Sequence, residues 1–173
     1  MDVLTSMRTP RSNASMTKCG FILVISGGVR GTTGEKSIEQ YYMKKNKWKS
    51  LPNMERERAF HASTVLNQAQ LYLFDEHDIT VLNIVSHSHV LKITSLQISR
   101  NQFVFAEKWK NGIIIFRQFE EEIAILSEEG KPEEVRNYEK EAYCNHGFGT
   151  LYLGGHLLAV DDQFQIFKIP LLP

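Results

Sequence analysis

Short apolar stretches separated by polar turns set the hydropathy pattern of this chain. Residues 21–25 (FILVI) form a continuous apolar run that ends close to the diglycine Gly27-Gly28. The length of the run, its β-branched residues and its glycine stop favour a buried strand over a helix. Two further strands are predicted over 37–42 and 47–51. The first part of the chain is therefore predicted to form three strands and no helix.

The same pattern predicts strands along the rest of the chain, in sets joined by short polar turns. These strands are predicted over 61–66, 70–75, 78–84, 89–96, 103–106, 112–117, 122–126, 146–152, 156–161 and 163–169. A charged piece, residues 127–141, stands where a fourth strand of its set would come, and Gly130 and Pro132 argue against a long helix there. Sets of about four short strands are typical of propeller blades.

Internal repetition supports the same interpretation. A shift of 85 residues lays His61 on His146 and continues without a gap to Ile84 on Ile169. Half of that shift, 42 residues, lays the apolar segment 71–74 on 113–116. A repeat of a little over 40 residues lies in the range of ~40 to 50 that propeller blades show.

One set of spaced residues makes the pattern more specific. The residues, in chain order, are Gly27, Gly28, Tyr41, Trp48, Leu51, Pro52, Arg58, His61, Leu71 and Tyr72. Their order resembles a kelch repeat, which folds into a four-stranded antiparallel blade. The resemblance implies that the paired glycines form a tight turn and that Tyr41 and Trp48 pack one blade against the next. It implies structural roles for the following residues: Gly27, Gly28, Tyr41, Trp48, His61 and Tyr72.

The predicted fold is all-β, a kelch-like β-propeller or partial propeller of about four antiparallel blades with an incomplete blade at each end. A flexible leader is expected over 1–19 and the propeller domain over 20–173. The blade units are placed at approximately 20–60, 61–102, 103–145 and 146–173. The pattern leaves open whether a short ring closes or whether the chain is an open arc. Open sheet edges would predict self-association, because unpaired strand edges invite pairing.

Composition and charge limit the kinds of partner. Twenty basic and twenty acidic residues give no net charge, which argues against a nucleic-acid partner. Locally the charge is uneven, with nine Lys or Arg and three acids in 1–50, and nine acids and three basic residues in 120–141. No run approaches the ~20 apolar residues that cross a bilayer, so no membrane partner and a cytoplasmic location are expected.

The candidate chemistry is sparse. Cys19 and Cys144 match no metal spacing, and unpaired thiols are favoured over a disulfide between them in a reducing compartment. His87 and His89 would supply two imidazoles to a metal, but further ligands are missing, so no metal and no cofactor are predicted. The sequence contains no Walker loop, zincin signature or nucleophile elbow, and the protein is predicted not to be an enzyme.

The function is therefore expected to reside in loops. The kelch resemblance implies ligand contact by loops on one face of the blades, which here include 29–36 and 53–60. Arg30, Arg56 and Arg58 are candidate partner-binding residues, because guanidinium groups fork onto carboxylates; Arg58 also has a packing role in the resemblance. A non-catalytic protein-interaction module or scaffold is the first hypothesis. The alternatives are a structural subunit joined through open sheet edges and a carbohydrate-binding or sugar-modifying kelch-type enzyme.

Overall fold

A computed structural model describes most of the chain. The residues described are 4–74, 79–86, 88–93, 104–109, 112–117, 122–127, 132–137, 149–153, 156–160 and 166–170. These residues form strands and one short 3-10 turn, Met43–Lys45. In the same residues no helix has the length and apolar character needed to cross a membrane.

The first sheet, sheet 1, is built from the part of the chain that precedes residue 52. Its strands are β1 (Ser15–Cys19), β2 (Ile22–Ser26), β5 (Ile38–Tyr42) and β6 (Lys47–Leu51), in the spatial order β1-β2-β5-β6. A small hairpin of β3 (Val29–Arg30) and β4 (Thr33–Gly34) is inserted between β2 and β5. All neighbouring strands are antiparallel.

Three further antiparallel sheets follow in chain order. Sheet 2 contains β7 (Ala62–Leu66), β8 (Gln70–Phe74), β9 (Ile79–Asn83) and β10 (Ser88–Ile93). Sheet 3 contains β11 (Val104–Trp109), β12 (Gly112–Arg117), β13 (Glu122–Leu126) and β14 (Pro132–Asn137). Sheet 4 has three strands in the described residues, β15 (Gly149–Leu153), β16 (His156–Val160) and β17 (Ile166–Pro170).

The predicted all-β fold of about four antiparallel units is confirmed. Within each sheet the strands follow one another in space as they do in sequence, as a propeller blade requires. The first strands of the sheets contact one another in the order β1, β7, β11 and β15. The four sheets are therefore arranged as neighbouring blades with their first strands innermost.

The structure differs from the prediction at the first blade. Ser15–Cys19 is β1, paired with β2 from Ser15 opposite Ser26 to Cys19 opposite Ile22, whereas the sequence placed these residues in a flexible leader. Sheet 1 therefore has four strands, and the expected incomplete first blade is wrong. The strand escaped the hydropathy pattern because its exposed residues include Met16 and its half-buried ones include Ser15, so pairing with β2 decides its structure.

The core lies between the sheets in two clusters. Val24, Ile38 and Leu51 of sheet 1 pack against residues of sheet 2 such as Leu71 and Leu73. The second cluster joins the other face of sheet 2 to sheet 3. Its members are Ala62, Leu66, Tyr72, Phe74, Ile79, Val81, Ala106, Ile113, Ile115 and Leu126. Sheet 2 is thus covered on both faces, which explains why residues 71–74 of β8 are all apolar and buried instead of alternating.

Cys19 gives a test of how β1 is packed. Burial raises the pKa of the Cys19 thiol above its ordinary value, and the nearby Lys108 ammonium opposes this rise in part. The thiol is partly buried against the core between sheets 1 and 2. We expect Cys19, in a Cys144→Ser background, to react with iodoacetamide more slowly than a cysteine in an unfolded peptide at about pH 8.

The same shift predicts how stability depends on pH. Because the folded state holds the thiol proton more tightly, stability falls as pH rises from the ordinary thiol pKa of about 8.5 towards the raised folded value. Cys19→Ser in that background should flatten this part of the pH profile of urea unfolding. Equal profiles for the two proteins would contradict a thiol that loses solvent on folding.

Candidate functional site

The two ends of sheet 1 differ in what they carry. At one end, called the loop end, Ser26, Ile38 and Leu51 are cross-strand neighbours. At the other, called the turn end, Ile22 is paired with Tyr42, beside the 3-10 turn. The predicted loops 29–36 and 53–60 both leave sheet 1 at the loop end.

Backbone hydrogen bonds join these two loops to each other. The Gly28 N–H donates to the Arg58 carbonyl at 2.7 Å, and the Arg58 N–H donates to the Glu35 carbonyl at 3.2 Å. The Met54 N–H donates to the Lys36 carbonyl at 2.9 Å. Residues 28–36 and 53–60 therefore form one continuous surface, called the loop surface.

The N-terminal segment also holds the loop surface in place. The Ser12 N–H donates to the Val29 carbonyl at 3.0 Å, and the Val29 N–H donates back to the Ser12 carbonyl at 2.8 Å. This pair of bonds fixes the base of the β3–β4 hairpin. Fixed loops on a rigid sheet lose little conformational freedom on binding.

The three candidate arginines occupy different environments. Arg30 is exposed on β3, and Arg56 is half-buried in the second loop. Arg58 is 5% exposed, and its Nη2 donates to Thr80 Oγ1 of β9 at 2.6 Å. The structure thus puts Arg30 and Arg56 on the loop surface, whereas Arg58 connects that surface to sheet 2. Burial of Arg58 fits the packing role in the resemblance and leaves its guanidinium out of reach of a partner.

Below the loop surface, Gly27 lies between His61 and the Arg58 backbone. Gly27 has a φ of +58°, and a Cβ there would overlap the Arg58 carbonyl oxygen and lie 2.8 Å from His61 Cε1. His61 Nε2 is hydrogen-bonded to Ser26 Oγ at 2.8 Å. The diglycine therefore allows the second loop to cross directly over the end of β2.

Ser26 and His61 form a hydrogen-bonded pair of the kind that a catalytic nucleophile makes with its base. Their environment does not suit catalysis. Ser26 is 1% exposed and His61 is 6% exposed. The neighbouring N–H groups, which would have to stabilise an oxyanion, are bonded, Gly27 to the Ser37 carbonyl and Gly28 to the Arg58 carbonyl. Because the pair is buried and the neighbouring N–H groups are already hydrogen-bonded, its role is to link sheet 1 to the start of sheet 2.

Tyr41 and Trp48 contact each other on the face of sheet 1 opposite to the core. Their ring centroids are 5.0 Å apart, and the Tyr41 hydroxyl donates to Asn46 Oδ1 at 2.8 Å. The Trp48 indole N–H donates to the Thr5 carbonyl at 2.7 Å. The resemblance implied that these rings pack against the next blade. In the described residues the Trp48 ring is bonded to the N-terminal segment, on the face that alternation along β5 turns away from the core.

An ion pair that the sequence did not reveal anchors the same segment. Arg11 Nη2 lies 2.7 Å from Glu39 Oε1, and the two side chains are 1% and 2% exposed. The backbone N–H groups of Arg8 and Thr9 also donate to the Glu39 carboxylate, at 2.9 Å and 3.1 Å. Arg11 falls in the predicted leader, where no hydropathy signal marks a buried residue.

Comparison with known families finds a match in this region. Residues 10–55 match the family model described as the Kelch motif. This segment is similar to a kelch motif. The matched span holds all of sheet 1, including the diglycine, Tyr41 and Trp48, and it confirms the resemblance noted in the sequence. No curated protein matches the chain.

The span that matches the kelch motif covers only part of the loop surface. Arg30 lies inside the matched span, whereas Arg56, Arg58 and His61 follow it. Within the described residues no group of three His, Cys, Asp or Glu side chains is placed to hold a metal ion. The two histidines considered as metal ligands in the sequence, His87 and His89, lie outside the described side chains.

Proposed function

We propose that this chain is a non-catalytic protein-interaction module that binds a protein partner through the loop surface. The kelch motif is typical of protein-interaction modules in general, which supports the proposal. The observation that carries it is the backbone hydrogen bonding between the two loops, from Gly28 to Arg58 and from Met54 to Lys36. It presents both loops as one pre-organised surface on a sheet scaffold.

Arg30 is the side chain on this surface best placed to contact a partner. It is exposed on a short hairpin whose base is bonded to Ser12. A guanidinium group is planar and forks onto carboxylates, which favours an acidic or polar contact on the partner. Catalysis is not part of the proposal, since the Ser26 and His61 pair is buried and the N–H groups beside it are already hydrogen-bonded.

Arg30→Glu tests this function. A photo-cross-linking residue at position 30 should recover the partner from cells, and the purified partner is then titrated against the chain. We expect Arg30→Glu to weaken that affinity by about tenfold or more, since a like charge then faces the partner's acidic contact. Arg8→Glu is the matched control, at an exposed position outside the loop surface and with the same change in charge.

The outcome separates the loop surface from the rest of sheet 1. Unchanged affinity in Arg30→Glu, or an equal loss in Arg8→Glu with both variants folded, would overturn the proposal. Carbohydrate turnover by the purified chain without a protein partner would support the sugar-modifying alternative instead.

Edge strands favour a second candidate function, a structural part of a larger assembly. β6 and β14 are each the last strand of their sheet among the described residues. Exposed strand edges pair readily with other strands. Under this candidate the isolated chain self-associates, and light scattering should show a mass that rises with concentration. A monomer at all concentrations with a single cooperative unfolding transition would rule it out.

A further inference from the structure

The turn end of sheet 1 gathers positive charge from several elements. Lys18 on β1, Lys44 and Lys45 in the 3-10 turn, and Lys47 on β6 are all exposed. The Met43 N–H donates to the Phe21 carbonyl at 3.0 Å, which brings the β1–β2 turn and the 3-10 turn together. These four lysines are called the lysine surface.

Acidic side chains are absent from the two stretches of sequence that form the turns at this end. Residues 16–22 and 42–49 contain no Asp or Glu, although the whole chain has as many acids as bases. Glu39, on the strand between them, is buried in its ion pair with Arg11. Lys108 on β11 is exposed and is close enough to Cys19 to act on it electrostatically. The fold thus concentrates charge that the net charge of zero conceals.

An exposed aromatic ring lies within the lysine surface. The Phe21 side chain is 61% exposed, and Lys44 Nζ lies 4.1 Å from the centroid of its ring. Contact with the ring orients this ammonium group and leaves an apolar spot beside several charges. A partner that suits this combination carries carboxylates and an apolar side chain.

β6 adds a backbone element to the same place. β6 is the last strand of sheet 1 in the described residues, and there it pairs along one side only, with β5. Lys47 and Lys49 alternate with Trp48, so the two lysines lie on one face of the strand. A strand added beside β6 would place its own alternate side chains next to these lysines.

We propose that β6 and the lysine surface bind an extended acidic segment of a partner protein, which pairs with β6 as a fifth strand of sheet 1. The lysine surface is at the opposite end of sheet 1 from the loop surface, and the proposal does not depend on the function proposed for the loop surface. A protein segment fits better than single-stranded nucleic acid, which stacks on several aromatic rings, whereas here Phe21 already has an ammonium group over its ring. The net charge of zero also lacks the general attraction that a polyanion binder uses.

The test uses a fluorescein-labelled peptide of alternating Glu and Val, titrated against the full chain by fluorescence anisotropy at low salt. We expect binding that weakens as salt is added, because screening reduces the attraction of exposed charges. Lys45→Glu combined with Lys47→Glu should weaken binding by about tenfold or more. Arg8→Glu is the control and should bind as the parent does, because Arg8 is exposed, lies outside both surfaces and reaches Ser50 on the face of β6 opposite to Lys47.

A second measurement tests whether the peptide backbone pairs with β6. Two versions of the peptide are N-methylated at alternate positions, one set at the odd residues and one at the even. Strand addition predicts that only one version loses binding, since only alternate N–H groups face β6. Equal binding of both versions would overturn strand addition.

The other outcomes are equally decisive. No binding of the parent peptide, or no loss in the double lysine variant, would show that the lysines only protect a sheet edge from aggregation. Tighter binding of oligothymidine or of phosphatidylserine vesicles than of the peptide, lost in the same variant, would assign the surface to nucleic acid or to a membrane and overturn the proposal.

Discussion

Replacement of Arg11 by methionine is expected to lower the free energy of unfolding by about 3–5 kcal/mol, the usual cost of removing one partner of a buried ion pair. Arg11 Nη1 donates to the carbonyls of Gly27 and Ser37 at 2.9 Å and 2.8 Å, in addition to the ion pair with Glu39. The variant leaves the Glu39 carboxylate buried without its cation and removes donors from two carbonyls.

Urea unfolding of the full chain measures this effect, and Arg8→Met is the matched control. Arg8 is exposed, its backbone N–H rather than its side chain binds Glu39, and its side chain makes one long bond of 3.4 Å to Ser50 Oγ. The control should change stability by no more than about 0.5 kcal/mol. If Arg11→Met is no more costly than Arg8→Met, the ion pair does not hold the N-terminal segment on sheet 1. Glu39→Gln added to Arg11→Met should recover part of the loss, because it removes the unpaired charge.

Gly27→Ala is expected to destabilise the chain by about 3 kcal/mol or more. The left-handed backbone costs an L-residue roughly 1–2 kcal/mol, and filling an occupied space typically costs about 1–3 kcal/mol more. Here the space is occupied by the Arg58 carbonyl oxygen and the His61 ring. The second loop has to move to relieve the overlap, so the loop surface should loosen together with the loss of stability.

Gly31→Ala separates the two causes. Gly31 has a similar φ of +63°, but a Cβ there meets nothing within 4 Å. It should therefore show only the backbone term of roughly 1–2 kcal/mol in the same urea measurement. Equal effects at Gly27 and Gly31 would mean that close approach of the second loop contributes nothing.

The apolar strands were predictable because their signal is local. Gly112–Arg117 and Glu122–Leu126 begin and end where the hydropathy pattern placed them, and the strands of sheet 2 agree to within a few residues. The spacing of Tyr41 and Trp48 behind a diglycine also indicated the kelch motif that the family model confirms. Apolar runs and turn glycines report burial and chain reversal directly, so one sequence is sufficient for these elements.

The strand and the buried side chain that are formed by polar residues could not be predicted from the hydropathy pattern. Ser15–Cys19 has no apolar run, and it is a strand because β2 offers it a paired edge. Arg11 looks like a leader residue, yet its side chain is buried because Glu39 and two carbonyls receive it. A polar side chain can be buried only where partners converge on it, and that convergence is a property of the fold.

The candidate site shows the same division. The sequence alone determined the all-β architecture, the blade-like repeat and the kelch motif, since periodic apolar residues, glycines and aromatic spacing are encoded locally. Only the tertiary structure decided that Arg30 faces solvent while Arg58 is buried against Thr80, and that exposed lysines of β1, the 3-10 turn and β6 come to the other end of sheet 1. The physical reason is that exposure and neighbours of a charged side chain depend on which segments cross over it, and those segments are distant in the chain.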